Sequence, residues 1–341
     1  MSARKIATLF VSAAISIALI AYLSSRVEAD DIVRTFSRIH YPALFLFMTI
    51  SLLTAALRAL RYQWLLHPSR IGFKNIFLVT LIRNLFVDLL PARIGSLSYV
   101  YLLNKRLKYP FEEAASTFVV AFVFDFLTLS PFVVLSILIV GPGSSSVTGP
   151  LFLGTALIFF LLIALIVWKI IPLSRLALKV YKALLQLLHM DSKDWALNSA
   201  DKLQTTITTL DQIQKRKIQW PLFFLSLLLR LGKYGSLYVL LFALLHSHGL
   251  SFENLSFWKT ILGITGGEMT GALPIKGLAG FGTWESGWAV AFRLMKFDPR
   301  LSILSGIGVH LITNLYEYAL GIFSIMILAF PFVVRKKHKS K

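Results

Sequence analysis

Two apolar stretches are each interrupted by a Leu-Pro pair, a basic residue and glycine. The first reads Leu90-Pro91-Ala92-Arg93-Ile94-Gly95 and the second reads Leu273-Pro274-Ile275-Lys276-Gly277. A half-helix that ends inside a membrane leaves backbone groups unpaired, and its N-terminal end attracts anions such as phosphate. A neighbouring basic side chain adds full positive charge, and glycine lets the backbone approach a ligand closely. The predicted ligand-binding residues are Arg93, Lys276, Gly95, Gly280 and Gly282.

Further ionisable residues lie within apolar segments, where each charge costs at least about 2.5–3.5 kcal/mol to insert. His310, Asn314 and Glu317 recur at helical spacing and form one polar stripe, which should face a cavity or a partner helix. Residues of this kind can gate a pathway or carry a coupling proton. The candidates for that role are Asp125, Glu285, Glu317, His310, Asp88 and Glu268.

A purely structural role for these charges is the alternative. Asp125 or Glu285 would then only neutralise Arg93 or Lys276. For Arg230 and Lys233, snorkelling or packing is the favoured interpretation.

The surrounding elements must be membrane helices. Of the 341 residues, 56% are hydrophobic and only 15% are charged, whereas soluble domains have about 25% charged residues. The apolar residues form blocks of about 20, enough to cross a bilayer as helix. The net charge of +19 collects at the ends of these blocks, which indicates topology and anionic lipid headgroups rather than nucleic acid. There is no cysteine, and the histidines lack ligand spacing, so we expect no cofactor or metal.

The sequence predicts an all-helical, polytopic membrane protein with six full spans and two re-entrant hairpins. We expect the first span to be retained rather than cleaved as a signal peptide. Arg58, Arg61, Arg70 and Lys74 are interpreted as marking the cytoplasmic end of the second span. The hairpins, at about 77–103 and 257–297, should enter from opposite sides as an inverted repeat. The predicted spans are 6–23, 41–66, 113–140, 151–171, 220–245 and 301–334.

Residues 173–217 are polar enough to leave the membrane. Leucine and valine recur there at helical spacing with basic residues between them, which is typical of an amphipathic helix on the cytoplasmic leaflet. A solvated connector packed on the bundle is the alternative. Residues 335–341 form a basic tail, and both termini are expected in the cytoplasm.

The interrupted segments resemble the transmembrane region of lysylphosphatidylglycerol synthases, the flippase-like domain of the multiple peptide resistance factor. Residues 89–95 are similar to that family's Leu-Pro-x-Arg-x-Gly-Glu signature. Asp125 corresponds to the acidic residue on the following helix. Pro274 with residues 280–285 is similar to the Gly-x-Gly-x-x-Glu signature. The resemblance implies one flippase-like domain over residues 1–334.

The sequence departs from the family pattern at several positions. Ser96 stands where the family often has Glu, Ala121 and Phe122 replace a Glu-Arg pair, and residues 278–279 replace Pro-Gly. The charge network around Asp125 should therefore be thinner than usual. We expect no aminoacyl-transfer domain and hence no lipid aminoacylation.

The predicted function is translocation of a phosphate-bearing lipid across a bacterial or archaeal inner membrane. A phosphatidylglycerol derivative and a polyprenyl-phosphate carrier are the candidate lipids. The alternatives are a non-transporting scaffold for an envelope-lipid biosynthetic enzyme and an intramembrane lipid-modifying enzyme. The expected partners are lipids with anionic headgroups, a second copy of the chain or an envelope biosynthesis protein, and not nucleic acid.

Overall fold

The computed structural model describes residues 17–19, 21–23, 25–66, 71–140, 154, 157–158, 161–162, 165, 168–270 and 280–329, with only the backbone described at 29, 91–93 and 170. This part of the chain is helical and contains no strand. A 3₁₀ helix at Pro91–Leu97 separates α3 from α4, and another at His246–His248 follows α9. The α-helices are α1 Ala29–Ser37, α2 Tyr41–Leu66, α3 Phe73–Leu89, α4 Ser98–Lys105, α5 Phe111–Leu127, α6 Leu129–Val140, α7 Ile170–Leu187, α8 Asp194–Lys215, α9 Gln219–Leu245, α10 Phe257–Thr270, α11 Thr283–Leu294 and α12 Pro299–Ala329.

Among the described residues, four helices are long and apolar enough to cross a membrane: Tyr41–Leu66, Phe111–Val140, Gln219–His248 and Pro299–Ala329. At a rise of 1.5 Å per residue, even the shortest spans about 39 Å, more than the hydrocarbon thickness. The predicted all-helical, membrane-spanning fold class is confirmed. The first predicted span, at 6–23, and the fourth, at 151–171, lie largely outside the described residues.

The C-terminal ends of α2 and α12 lie in one apolar cluster at the same end of the bundle, and each accepts hydrogen bonds from a basic side chain of a nearby connection. Arg106, just after α4, donates through Nη2 to the main-chain carbonyl of Leu328 at 2.6 Å. Arg216, just after α8, donates to the carbonyl of Leu65 at 3.3 Å. Helix C-termini expose unpaired carbonyls, so cationic donors stabilise them. We call this the basic end.

At the opposite end, α1 joins the end of α9 to the start of α12. The backbone N–H of His40 donates to the carbonyl of Ala243 at 3.0 Å, and Arg34 donates to the carbonyl of Ser247 at 3.1 Å. Arg300, the second residue of α12, forms ion pairs with Glu28 and Asp31. We call this the opposite end.

The first interrupted segment folds back on itself. α3 ends at Leu89, and the extended backbone at Leu90 turns the chain into the 3₁₀ helix that Pro91 begins. Gly95 lies against α3 so closely that a Cβ there would be 1.7 Å from the carbonyl oxygen of Phe86. α3 follows α2, which ends at the basic end, and Arg106 follows α4 there. Both ends of the segment therefore lie at the basic end.

The second interrupted segment is a helical pair with glycine at its interface. Gly263 of α10 lies against Phe292 of α11, and Gly267 lies against Trp284. These pairings run in opposite directions along the two helices, so α10 and α11 are antiparallel, and their outer ends lie at the opposite end of the bundle. Residues 271–279, with the second Leu-Pro motif, lie outside the described residues. Depth in a bilayer and origin as an inverted repeat stay predictions.

The segment 173–217 forms two helices with different environments. α8 packs on α5, where Ser116 Oγ donates to the carbonyl of Thr206 at 3.0 Å. α7 packs on α8 through Tyr181 and Ser199, whose hydroxyl oxygens are 2.6 Å apart. α8 is thus a packed connector, whereas α7 keeps an exposed apolar face. That face consists of Leu173, Leu176, Val180, Leu184 and Leu187.

Two large apolar clusters stabilise the bundle, one toward each end, and a smaller third cluster includes Leu23 and Leu304. The cluster at the basic end includes Tyr62 and Ile76. The cluster at the opposite end includes Leu240 and Trp288. On each long helix, the residues between the two clusters include charged or polar side chains. Charged side chains that contact or face one another in this zone define the polar layer, which consists of Arg58, Arg61, Arg83, Asp88, Asp125, Arg230, Lys233, Glu268 and Glu317.

Candidate functional site

A buried ion pair between two of the long helices lies in the polar layer. Arg61 Nη1 of α2 donates to Asp125 Oδ1 of α5 at 2.7 Å and to Ser226 Oγ of α9 at 2.9 Å. Arg61 is 0% exposed, and Asp125 is midway along the span Phe111–Val140. A charge at that position needs a partner, since insertion without one is costly. The pair therefore connects three spans.

Two basic residues of α9 connect Asp125 to a second carboxylate, on α10. Arg230 of α9 donates to the main-chain carbonyl of Asp125, and its guanidinium lies 3.6 Å from Glu268. Lys233, one turn further along α9, lies 2.5 Å from Glu268. Both cations are thus ion-paired with a carboxylate of the neighbouring helix, which agrees with a packing role for them.

Two further arginines share one neutral acceptor. Arg58 of α2 and Arg83 of α3 both donate to Asn84 Oδ1, at 3.2 and 3.3 Å. Arg58 also lies within electrostatic range of Arg61 and Asp125. Two guanidinium groups are therefore held side by side by an uncharged amide, close to the ion pair of Arg61.

Two carboxyl groups of the polar layer, one on α12 and one on α3, face each other. The side chain of Glu317 on α12 lies within electrostatic range of that of Asp88 on α3. Glu317 and Asn84 also border a space of about 10 Å³, about the size that holds one water molecule.

The polar layer carries an excess of positive charge. Its five cations outnumber its four carboxyl groups by one. Within a membrane span such an excess calls for an anion. The cations are Arg58, Arg61, Arg83, Arg230 and Lys233, and the carboxyl groups are those of Asp88, Asp125, Glu268 and Glu317.

Comparison with known proteins decides the family of the chain. The family model for the lysylphosphatidylglycerol synthase transmembrane region matches residues 9–321. The chain belongs to this family. No curated protein and no solved structure was found that matches it. Since the family is that of a membrane region, the match and the four apolar helices together identify a multi-pass membrane protein related to lipid-handling enzymes.

The structure brings together some of the predicted site residues of this family member. Asp88, Asp125, Glu268 and Glu317 all lie in the polar layer. Gly95 lies at the turn of the first interrupted segment, and Gly280 and Gly282 precede α11 with φ of 85° and 84°. The side chain of Arg93 and the whole of Lys276 lie outside the described residues, so their predicted role stays a prediction.

Glu285 and His310 form a separate buried pair. His310 Nδ1 lies 2.6 Å from Glu285 Oε1, and the other carboxylate oxygen of Glu285 accepts from the N–H of Gly282 at 2.7 Å. Glu285 therefore caps α11, because the first N–H groups of a helix lack internal partners. The described partner of Asp125 is likewise Arg61. Neutralisation of Arg93 or Lys276 by Asp125 or Glu285 stays a prediction, because neither cationic side chain is among those that the structure describes.

Replacing Glu285 with alanine is expected to lower the free energy of unfolding by about 2–3 kcal/mol, because two buried donors lose their acceptor. Glutamine keeps one acceptor oxygen and should cost about half as much. Thermal unfolding of the purified protein in detergent, followed by tryptophan fluorescence, measures both variants. Equal losses for alanine and glutamine would contradict the capping role.

Sequence reasoning missed Arg58, Arg61 and Asn84 as site residues. The sequence was interpreted only as placing Arg58 and Arg61 at the cytoplasmic end of the second span, and the structure adds that Arg61 is fully buried. The available signal was their spacing of three residues, which places both on one face of an apolar helix. Among the described residues, no group of three His, Asp or Glu side chains could hold a metal ion.

Proposed function

We propose that the protein moves a phosphate-bearing lipid between the two leaflets of a bacterial or archaeal inner membrane. The observation that carries the proposal is the polar layer, which holds net positive charge in the middle of the spans. Its cations would replace the hydration of an anionic headgroup, while the acyl or prenyl tails stay in the surrounding bilayer. Phosphatidylglycerol derivatives and polyprenyl-phosphate carriers have this combination of charge and tail.

The two interrupted segments supply the moving parts of the proposed cycle. They enter from opposite ends of the bundle and flank the polar layer, so each can open a path to one side. Arg93 and Lys276 would attract the phosphate at the two turns. The carboxyl groups of the layer would bind an amine on the headgroup or carry a coupling proton. The basic end and both termini are assigned to the cytoplasm.

Reconstitution in liposomes tests the proposal. Purified protein is inserted into vesicles that contain a trace of a labelled lipid, and the fraction of headgroups accessible from outside is followed over time. We expect faster equilibration across the bilayer with wild-type protein than with empty vesicles. The lipids to be tested are phosphatidylglycerol, lysylphosphatidylglycerol and a polyprenyl phosphate, and no acceleration for any of them would contradict the proposal.

A non-transporting scaffold is the second candidate, and the exposed apolar face of α7 favours it. A helix with such a face and basic neighbours binds a membrane surface or another helix. Replacing Leu176, Val180 and Leu184 with glutamine would remove this face without touching the polar layer. A translocase should keep its flipping rate in liposomes after these changes, whereas a scaffold has no such activity to keep.

A further inference from the structure

Three arginines of the polar layer have hydrogen-bond donors that the described residues do not satisfy. The Nε atoms of Arg58, Arg61 and Arg83, together with Nη2 of Arg61, are buried and have no acceptor in the described part of the chain. Arg61 is 0% exposed and Arg83 is 9% exposed. Buried donors are almost always paired in native proteins, and an unpaired one attached to a charge is especially costly. The unpaired donors therefore point to a ligand.

The arrangement of the three groups restricts the chemistry of that ligand. Arg58 and Arg61 lie one turn apart on α2, and Arg58 is held beside Arg83 because both donate to Asn84. Asp125 neutralises only Arg61 directly. A ligand for this site must be negative and must offer several acceptor oxygens. Guanidinium groups match the oxygens of phosphate in a bidentate manner.

We propose that Arg58, Arg61 and Arg83 together bind a phosphate group in the middle of the bundle. This inference rests on the proposed function, because it assumes that the polar layer is where the transported headgroup passes. It assigns the phosphate to residues other than Arg93 and Lys276. The phosphate is either the ester of a lipid headgroup or free inorganic phosphate, and both offer the same oxygens to the three guanidinium groups.

The closed packing around the site gives the proposal a conformational consequence. The space beside Asn84 is about 10 Å³, which admits about one water molecule but not a phosphate. Asn84 is on α3, in the interrupted segment that enters from the basic end. Movement of α3 away from α2 and α12 would therefore open the arginines to a ligand, and the ligand would hold α3 in its new position.

Binding to purified full-length protein tests the site. Three probes are titrated in neutral-lipid nanodiscs: inorganic phosphate, phosphatidylglycerol, and oleate as an anionic lipid without phosphate. Wild-type protein is compared with Arg58→Gln and Arg83→Gln, which leave the Arg61–Asp125 pair intact. Arg38→Gln, which changes an exposed arginine between α1 and α2, is the matched control. Bound ligand is measured directly and by the rise in unfolding temperature.

We expect each of the two variants to weaken binding of a phosphate-bearing probe about tenfold or more, with the control unchanged. If the variants bind only phosphatidylglycerol more weakly, the bound phosphate is that of a lipid headgroup. If they bind inorganic phosphate more weakly, the bound phosphate is the free ion. If the two variants weaken oleate binding equally, or leave the binding of every probe unchanged, the proposed phosphate site is wrong.

A separate liposome assay distinguishes the phosphate site from the proposed transport function. Phosphate binding without flipping contradicts only the proposed function. Flipping that persists in both variants contradicts only the phosphate site.

Discussion

Replacing Asp125 with alanine is expected to lower the free energy of unfolding by about 3–5 kcal/mol. The change leaves Arg61 fully buried without its counter-ion. Breaking a buried pair by removing one partner has this cost because the remaining charge is neither solvated nor paired. Arg58 lies nearby and adds repulsion. Chemical or thermal unfolding in detergent measures the loss.

A double variant separates stability from transport. Arg61→Met with Asp125→Leu removes both charges and fills similar space, so most of the lost stability should return. Flipping in liposomes should be absent from both Asp125→Ala and the double variant, because each lacks the carboxylate that pairs with the buried arginine of the polar layer. Asp211→Ala, which breaks the exposed pair with Lys215, is the control and should change nothing measurable. Normal flipping by the double variant would show that the pair has only a structural role.

Replacing Gly95 with alanine is the second substitution with a large expected effect. We expect the turn of the first interrupted segment to lose its packing against α3. A Cβ at this position would be 1.7 Å from the carbonyl oxygen of Phe86 and 2.1 Å from the carbonyl carbon. These are backbone atoms and cannot rotate away, so the turn must move off α3. Overpacking of this kind typically costs about 1–3 kcal/mol and more when the neighbour is fixed. Flipping should fall to the level of empty vesicles.

Gly235→Ala provides the matched comparison for Gly95. Gly235 lies within α9, and a Cβ there would meet nothing within 4 Å. Alanine favours helix over glycine by about 0.5–1 kcal/mol, so this variant should be slightly more stable and fully active. Unfolding temperature and flipping rate are measured for both variants in parallel. Equal behaviour of the two alanine variants would show that the turn at Gly95 does not constrain the segment.

The long helices and their interruptions were predictable from the sequence because both depend on local properties. A run of apolar residues long enough to cross a bilayer has few alternatives to helix. Pro91 ends α3 because proline restricts the residue before it and lacks an N–H. The antiparallel contact of α10 with α11 was not predictable in detail, since the pairing of Gly263 with Phe292 depends on which helices meet.

The composition of the candidate site was harder to predict. Arg58 and Arg61 near the end of an apolar span fit the positive-inside rule as well as they fit a buried site, and sequence alone does not separate the two. Their orientation toward Asp125 and Asn84 is decided by helix packing. The role of Glu285 at α11 was accessible, because a glycine followed three residues later by glutamate is typical of a helix start.

The separation of the apolar packing into two large clusters has a consequence for how the molecule can move. The long helices run through both clusters, and the side chains that contact one another between the clusters include ion pairs and hydrogen bonds that can exchange partners. Bending of these helices at the polar layer would exchange such partners while leaving both apolar clusters packed. The region where the bundle could bend without losing apolar contacts would then coincide with the place where an anion would be held.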